Sequence, residues 1–325
     1  MHGKAIIIQF SIHQKNELTL KHTLTALKVI ISFGLIYFVT KKFDYHQVID
    51  ELKNISVFHV LSGLLISLVI VLLQGLRWKI LLLKHGNSIT FPFLLKYILY
   101  GYALNLAVPL GVGADIIKSY SLGKVIEAKS ESIGSIVFAK ILGLSMMMLL
   151  MWVSLPFSSR ELLPESTYLP LSIISLLVFL FCLITIFKSN WVAKFIPFKV
   201  FKASIHHIQA TVKQPKTLGL ALMYSFLIQI LISIIQLLFY QGVGAEISFW
   251  DNAIYFSVLS LLLYLPISIG GVGLREATSI YILGQLSGVS DSHCLQVSLL
   301  AYLLMVFQAF LGLLTYILIP KEARA

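Results

Sequence analysis

Charge is what this chain has least of. Only 12% of its 325 residues are Asp, Glu, Lys or Arg, about half the share usual in a soluble domain, and that scarcity excludes an ordinary cytosolic enzyme. Cysteine is nearly absent: Cys182 and Cys294 stand far apart with no C-x-x-C spacing, so neither a disulfide framework nor a metal site is expected. Catalytic signatures are missing too. There is no H-E-x-x-H, G-x-S-x-G or Walker pattern, and Gly270-Gly271-Val272-Gly273 follows no strand that would make it a nucleotide loop. No cofactor is expected.

What the chain has instead is apolar length. Hydrophobic residues make up 58% of it, and runs of about 18–25 such residues recur, the length a helix needs to cross a roughly 30 Å hydrocarbon core. Stretches such as Leu171–Phe187 are apolar on every face, which excludes the alternating pattern of a membrane β-barrel. The expected fold is an all-α integral membrane protein. Apolar windows mark Thr23–Thr40, Val57–Arg77, Phe91–Pro109, Ser132–Leu155, Leu169–Phe187, Thr217–Tyr240, Trp250–Pro266 and His293–Leu318. That is about eight transmembrane helices. Two shorter stretches, Ala114–Ser130 and Leu274–Gly288, follow the third and seventh. Residues 1–22 are polar, contain Glu17 and precede no cleavage signature, so Thr23–Thr40 reads as a permanent span rather than a signal peptide.

The basic excess, 25 Lys and Arg against 14 Asp and Glu, fits retention of positive loops in the cytoplasm and is not read as nucleic-acid binding. Lys188, Lys194, Lys199, Lys202, Lys213 and Lys216 crowd residues 188–216 with no acidic residue among them, which places that loop inside. The N-terminal segment, the Arg77–His85 loop and the tail 320–325 also read as inside. The loops Pro156–Tyr168, with Glu161 and Glu165, and Gly242–Phe249, with Glu246, read as outside. These marks impose a parity condition, because two long apolar helices lie between the inside loop near Lys84 and the outside loop near Glu161. The count closes when Phe91–Pro109 and Ala114–Ser130 form a re-entrant hairpin from the cytoplasm, and Trp250–Pro266 with Leu274–Gly288 form another from outside. Six full spans remain. The transmembrane domain then runs over 23–319, as halves of about 23–155 and 169–319 joined through the external loop 156–168.

The two hairpin tips share a pattern. Pro109, Gly113 and Lys118 stand at offsets 0, +4 and +9, and Pro266, Gly270 and Arg275 repeat those offsets. Given 20 Gly and 25 Lys and Arg in 325 residues, the 9 prolines would produce about 0.04 such patterns by chance. Pro and Gly breaking helices at corresponding places in two halves point to inverted repeats with a binding site between the broken helices; the alternative is two unrelated Pro-Gly loop ends. Gly111, Gly113, Gly270, Gly271 and Gly273 let the chain leave the helix at membrane depth, and each restarting helix aims free N–H groups at its tip.

Ionisable residues in spans cost at least about 2.5–3.5 kcal/mol and normally mark a pathway. Asp115 and Lys118, three apart on one helix face, Lys140, eight residues into its span, Arg275, Glu276 and Asn105 are the candidates. The alternative for the Asp115–Lys118 and Arg275–Glu276 pairs is a place at the water interface. Arg77-Trp78 reads as an interfacial anchor, Gln74, Gln229, Gln236 and Gln308 as interhelical hydrogen bonders, and His206–His207 as facing water.

At these residues the chain resembles the lysylphosphatidylglycerol synthase transmembrane-domain family, also called the flippase-like domain family, over nearly its full length. The resemblance rests on Arg77-Trp78, on Asn105 to Lys118 (NLAVPLGVGADIIK), on Ser135–Leu142 (SIVFAKIL) and on Pro266 to Glu276 (PISIGGVGLRE). It implies a membrane domain that moves a phospholipid between leaflets, sometimes fused to a synthase domain. The chain ends seven residues after Leu318, so the membrane domain without the synthase domain is expected. By resemblance, Asn105, Asp115, Lys118, Lys140, Arg275 and Glu276 line a polar cavity. The expected function is that of a lipid flippase in a prokaryotic cytoplasmic membrane, with both termini cytoplasmic. Its ligand would be a phospholipid or a polyprenyl-linked lipid, and its partners a separate lipid-modifying enzyme or a second copy of the chain. The alternatives are a membrane-embedded lipid-modifying enzyme using Asp115 or Glu276, and an accessory subunit of a lipid-modifying or glycosylation system.

Overall fold

The structure is a computed structural model and describes residues 55–107, 112–158, 165–195, 199–264, 268 and 271–316. The expected span Thr23–Thr40, the segment 1–22, the tail 320–325 and the tip residues Pro109, Gly111, Pro266 and Gly270 lie outside the described residues. Every regular element among the described residues is helical: α1 (Val57–Leu81), α2 (Leu83–Ser88), α3 (Phe91–Ala107), α4 (Val112–Val125), α5 (Lys129–Ser154, prolonged by a 3-10 turn at Leu155–Phe157), α6 (Glu165–Phe187), α7 (Ser189–Phe195), α8 (Lys199–Val212), α9 (Pro215–Gly242), α10 (Phe249–Tyr264), α11 (Leu274–Ser287) and α12 (Asp291–Tyr316).

Five of these, α1, α5, α6, α9 and α12, are long and apolar enough to cross a membrane, and the chain is an all-α, multi-pass membrane protein. Their outward faces are apolar rather than charged. Phe58, Leu61, Leu65, Leu72 and Leu76 on α1, and Leu303, Val306, Phe310, Leu313 and Leu314 on α12, are exposed at helical spacing. Such stripes suit acyl chains and would be a liability in water.

The remaining apolar helices are shorter than these five over the described residues. At 1.5 Å per residue, α3 with 17 residues reaches about 25 Å and α4 with 14 about 21 Å; α10 with 16 and α11 with 14 are their counterparts in length. Each pair is followed by a 26-residue helix, α5 or α12. The packing corresponds as well. The two members of each short pair lie side by side, α3 rests on α12 while α10 rests on α5, and α1 runs against α9. Close approach of α3 to α12 depends on Gly312, where a Cβ would fall 2.1 Å from the Leu99 carbonyl oxygen.

At the centre is α5, which touches α4, α6, α8, α9 and α10. Its buried face carries Ser132, Gly134, Ser135, Ala139, Gly143 and Ser145, small residues that let helices approach where apolar burial alone supplies no driving force. Ser135 and Ser145 donate to carbonyls three residues back, which satisfies their hydroxyls without water. Within the basic 188–216 segment, α8 lays Ser204, Ile205, His207, Ile208 and Thr211 inward against α5. His206 is exposed and His207 is buried at 6%. The expectation that both face water therefore fails for His207: consecutive helical positions point about 100° apart, and one of two neighbours on an amphipathic helix turns inward.

Candidate functional site

Asp115 occupies the first turn of α4. A carboxylate there meets the positive end of the helix dipole, so the N-terminus that the sequence marked as an anion site is already complemented by its own chain. Three residues on, the Lys118 ammonium pairs with Asp115 Oδ1; from α5, the Lys140 ammonium reaches Asp115 Oδ2 at 2.5 Å. One carboxylate thus bridges two helices. The Lys118 side chain is 11% exposed and that of Lys140 39%, which makes Lys118 the enclosed cation and Lys140 the reachable one. Lys118 also lies 5.8 Å from the Trp78 ring centre and Lys140 6.0 Å from that of Tyr264. Asp115 and Lys118 are largely enclosed by the surrounding helices, with side chains 15% and 11% exposed.

Room for this arrangement comes from Gly101. A Cβ on that α3 residue would sit 2.4 Å from Lys118 Cδ, so any side chain there would displace the lysine. Beside the ion pairs a cavity of about 300 Å³ opens, walled by Gln74, Gly101, Tyr102, Asn105, Asp115, Lys118, Lys140, Ser260, Leu263 and Tyr264. Residues from α1, α3, α4, α5 and α10 therefore share one wall, and the last turn of α10 meets the α3–α4 pair there. Tyr102 donates to Gln74 Oε1 at 3.1 Å. On the far side of the lysines, a pocket of about 60 Å³ adds Arg77 and Trp78.

The sequence places Arg77 as an interfacial anchor at the end of its span, but α1 continues for another turn to Leu81, which carries Arg77 inside the bundle. There its Nη1 donates to Ser225 at 3.0 Å, and its Nε is buried without a partner among the described residues. Trp78 is 2% exposed and donates to Ser135 at 2.8 Å. Neither is an anchor at a surface. Tyr102, Tyr264 and Gln74 were also missed as lining residues. The available signal is spacing, since Gln74 and Arg77 stand three apart on the helix that carries the Arg77-Trp78 motif.

Of the six residues singled out from the sequence, Asn105, Asp115, Lys118 and Lys140 line the cavity. Arg275 and Glu276, at the start of α11, are not among its described lining. They are buried at 8% and 7% against α12, where Tyr302 donates to Glu276 Oε2 and to the Gly271 carbonyl, both at 3.3 Å, and where the Arg275 guanidinium lies 5.7 Å from the Tyr302 ring centre. Gly271 and Gly273 have φ of +81° and +78°, the left-handed backbone that glycine adopts without strain; Gly113 is helical and half-buried. Among the four glutamines, Gln229 donates to the Gly143 carbonyl at 3.1 Å and ties α9 to α5.

A separate polar cluster lies where α2, α5 and α8 converge: His85 Nδ1 and Glu131 Oε2 are 2.8 Å apart, and His207 lies within electrostatic range of Glu131. Among the described residues no three His, Cys, Asp or Glu side chains are placed to share a metal ion. No curated protein matches the chain. The model of the lysylphosphatidylglycerol synthase TM region, however, matches residues 25–312, nearly the whole length and all of the cavity, and the chain belongs to that family of membrane domains.

Proposed function

We propose that the protein is a lipid carrier that passes a phosphate-bearing headgroup across the cytoplasmic membrane while the acyl chains stay in the bilayer. A lipid-related membrane role follows from the family. The carrier reading rests on one observation above others: a polar, cation-rich cavity lined by the shorter helices α3, α4 and α10 together with α1 and α5, inside a bundle whose outer faces are apolar. Buried charge is costly in such a place, and a pathway for a charged headgroup accounts for it. The matching lengths and crossed packing of α3–α4–α5 and α10–α11–α12 support two inverted halves, each with a re-entrant hairpin, which would alternate access by rocking.

The two buried carboxylates have different surroundings and would have different roles. Asp115 is clasped by two ammoniums and balances them when the site is empty. Glu276 accepts a phenol hydrogen bond from Tyr302 and stands apart from that clasp, which suits it to carry a coupling proton.

The test is leaflet accessibility of fluorescent phospholipids and polyprenyl-phosphate lipids in liposomes holding the purified protein, with Lys140→Ala as the comparison. Protein-dependent transfer that the variant lowers at least about tenfold supports the carrier. Absence of transfer with any lipid, from protein shown to be folded, moves the reading to a membrane-embedded enzyme or an accessory subunit.

A further inference from the structure

The carrier reading leaves the headgroup's charge open, and the cavity's own charge count addresses it. Arg77, Lys118 and Lys140 bring three cations to the two adjoining pockets, and Asp115 is the one carboxylate in their described lining. The tip segments 108–111 and 265–270 contain no ionisable side chain. The helix ends that meet there, C-terminal for α3 and α10 and N-terminal for α4, offset one another in part and leave about half a negative charge. The side chains of the described lining therefore carry a surplus of two positive charges. A ligand that leaves this surplus uncompensated leaves buried charge unpaired, which is expensive.

Resting on the carrier reading, we infer that the headgroup is a dianion: a phosphate monoester, or a terminal phosphate of like charge, at the end of a lipid. A phosphate diester such as that of phosphatidylglycerol brings one negative charge and leaves half the surplus. A headgroup that also bears an ammonium finds no carboxylate for it, since both oxygens of Asp115 are held by Lys118 and Lys140. Arg77 Nε, buried and without a partner among the described residues, adds unspent donor capacity in the adjoining pocket. Size agrees, because about 300 Å³ is at the small end of ligand cavities and suits a compact headgroup. In the bound state the monoester oxygens take Lys140 from its exposed side, with the Tyr102, Asn105 and Tyr264 side chains as neighbours.

The inference has a pH signature that belongs to the ligand. A phosphate monoester loses its second proton with a pKa near 6, whereas a diester carries one charge throughout. The groups facing the site from each helix around it are Arg77 of α1, Tyr102 of α3, Asp115 and Lys118 of α4, Lys140 of α5 and Tyr264 of α10. None is a histidine, the side chain that ordinarily titrates between pH 5 and 8.

The experiment measures binding of short-chain phosphatidic acid, polyprenyl monophosphate, phosphatidylglycerol, phosphatidylethanolamine and inorganic phosphate to the full chain in nanodiscs, at pH 8 and pH 5. Expected at pH 8 is at least about tenfold tighter binding of the two monoesters than of phosphatidylglycerol, the worth of one more charge-assisted hydrogen bond. That margin should shrink at pH 5 and shrink in Lys140→Gln, but persist in Lys194→Gln, which alters an exposed lysine of α7. Equal binding of phosphatidylglycerol or phosphatidylethanolamine would overturn the dianion while leaving the carrier in place. Binding of inorganic phosphate with no lipid preference would overturn the lipid assignment, and no binding or transfer of any lipid by folded protein would overturn the carrier itself.

Discussion

Lys118 and Lys140 hold opposite oxygens of the same carboxylate, although they come from different helices and lie 22 positions apart in sequence. The consequence is that Asp115 does two jobs. It complements the start of α4 and it keeps two neighbouring ammoniums, one buried and one partly exposed, from facing one another unpaired. Breaking a buried pair by removing one partner costs about 3–5 kcal/mol, and the 39% exposure of the Lys140 side chain lets water screen part of that. Asp115→Asn is therefore expected to lower stability by about 3 kcal/mol, seen as an earlier unfolding transition in detergent. Adding Lys118→Met to Asp115→Asn should recover part of the loss, because it removes a cation that the first substitution stranded. If the double variant is less stable than Asp115→Asn, the carboxylate's role is not the one assigned to it.

Two glycines touch the α3 helix or belong to it, and their replacement should have opposite effects. At Gly312 a Cβ would meet the backbone oxygen of Leu99 at 2.1 Å, and backbone cannot turn aside, so Gly312→Ala should cost about 1–3 kcal/mol by forcing α12 away from α3. At Gly101 the obstruction is Lys118 Cδ at 2.4 Å, part of a flexible side chain that can swing. Gly101→Ala should leave the unfolding transition nearly in place while lowering lipid transfer on the order of tenfold through a misplaced ammonium. Measuring both quantities on both variants separates a packing contact from a site contact.

How much of this was legible in the sequence depends on how local each feature is. Asp115 and Lys118 are three apart on one helix, and their pairing follows from the helical repeat alone. The parity of charged loops calls for two re-entrant hairpins, and α3–α4 and α10–α11 stand at those places in the chain. Lys140 was visible as a charge in an apolar run, but its partner was not, since only the docking of α5 on α4 brings them together. Arg77 was misjudged by one helical turn, because a basic residue at the end of an apolar window looks the same whether the helix stops there or continues to Leu81. The offsets that align Arg275 with Lys118 are real in the sequence, yet α11 packs on α10 and α12, and Arg275 lies beside Tyr302 rather than in the described cavity wall. A repeat in sequence does not oblige both copies to face one cavity.

Sidedness is open to a direct check. The basic 188–216 loop and the Gly242–Phe249 loop are expected on opposite sides of the membrane, and each offers an exposed position, Lys194 and Glu246 being the charge markers. Cys182 and Cys294 are both buried, so single cysteines introduced at these positions should dominate labelling by a membrane-impermeant maleimide. Lys194→Cys is expected to react only after the membrane is opened to the inside, and Glu246→Cys in intact cells. The reverse result would invert the protein, and reaction of both from one side would break the odd number of crossings that places α9 as a full span.

The α2–α5–α8 cluster gives the fold a pH dependence of its own. His207 lies in α8, in the segment between the crossing helices α6 and α9, and burial lowers its pKa below the ordinary 6.5; the nearby Glu131 carboxylate and a hydrogen bond to the Leu81 carbonyl oppose this more weakly. Its Nε2 has no partner among the described residues, and the absent side chain of Gly134, where a Cβ would fall 2.8 Å from His207 Cβ, is what admits the ring. A histidine that stays neutral when folded and takes a proton near pH 6.5 when unfolded favours the unfolded chain as pH falls. Its contribution is therefore intact above about pH 6.5 and is lost progressively below it. The charged and titratable neighbours are Glu131 of α5 and, through Glu131, His85 of α2. Unfolding followed at pH 7.5 and 5.5 should show a fall in transition temperature for the natural chain and a smaller fall for His207→Met, which keeps the volume and removes both the titration and the orphaned nitrogen. An unchanged pH slope in His207→Met would place the sensitivity elsewhere in the molecule.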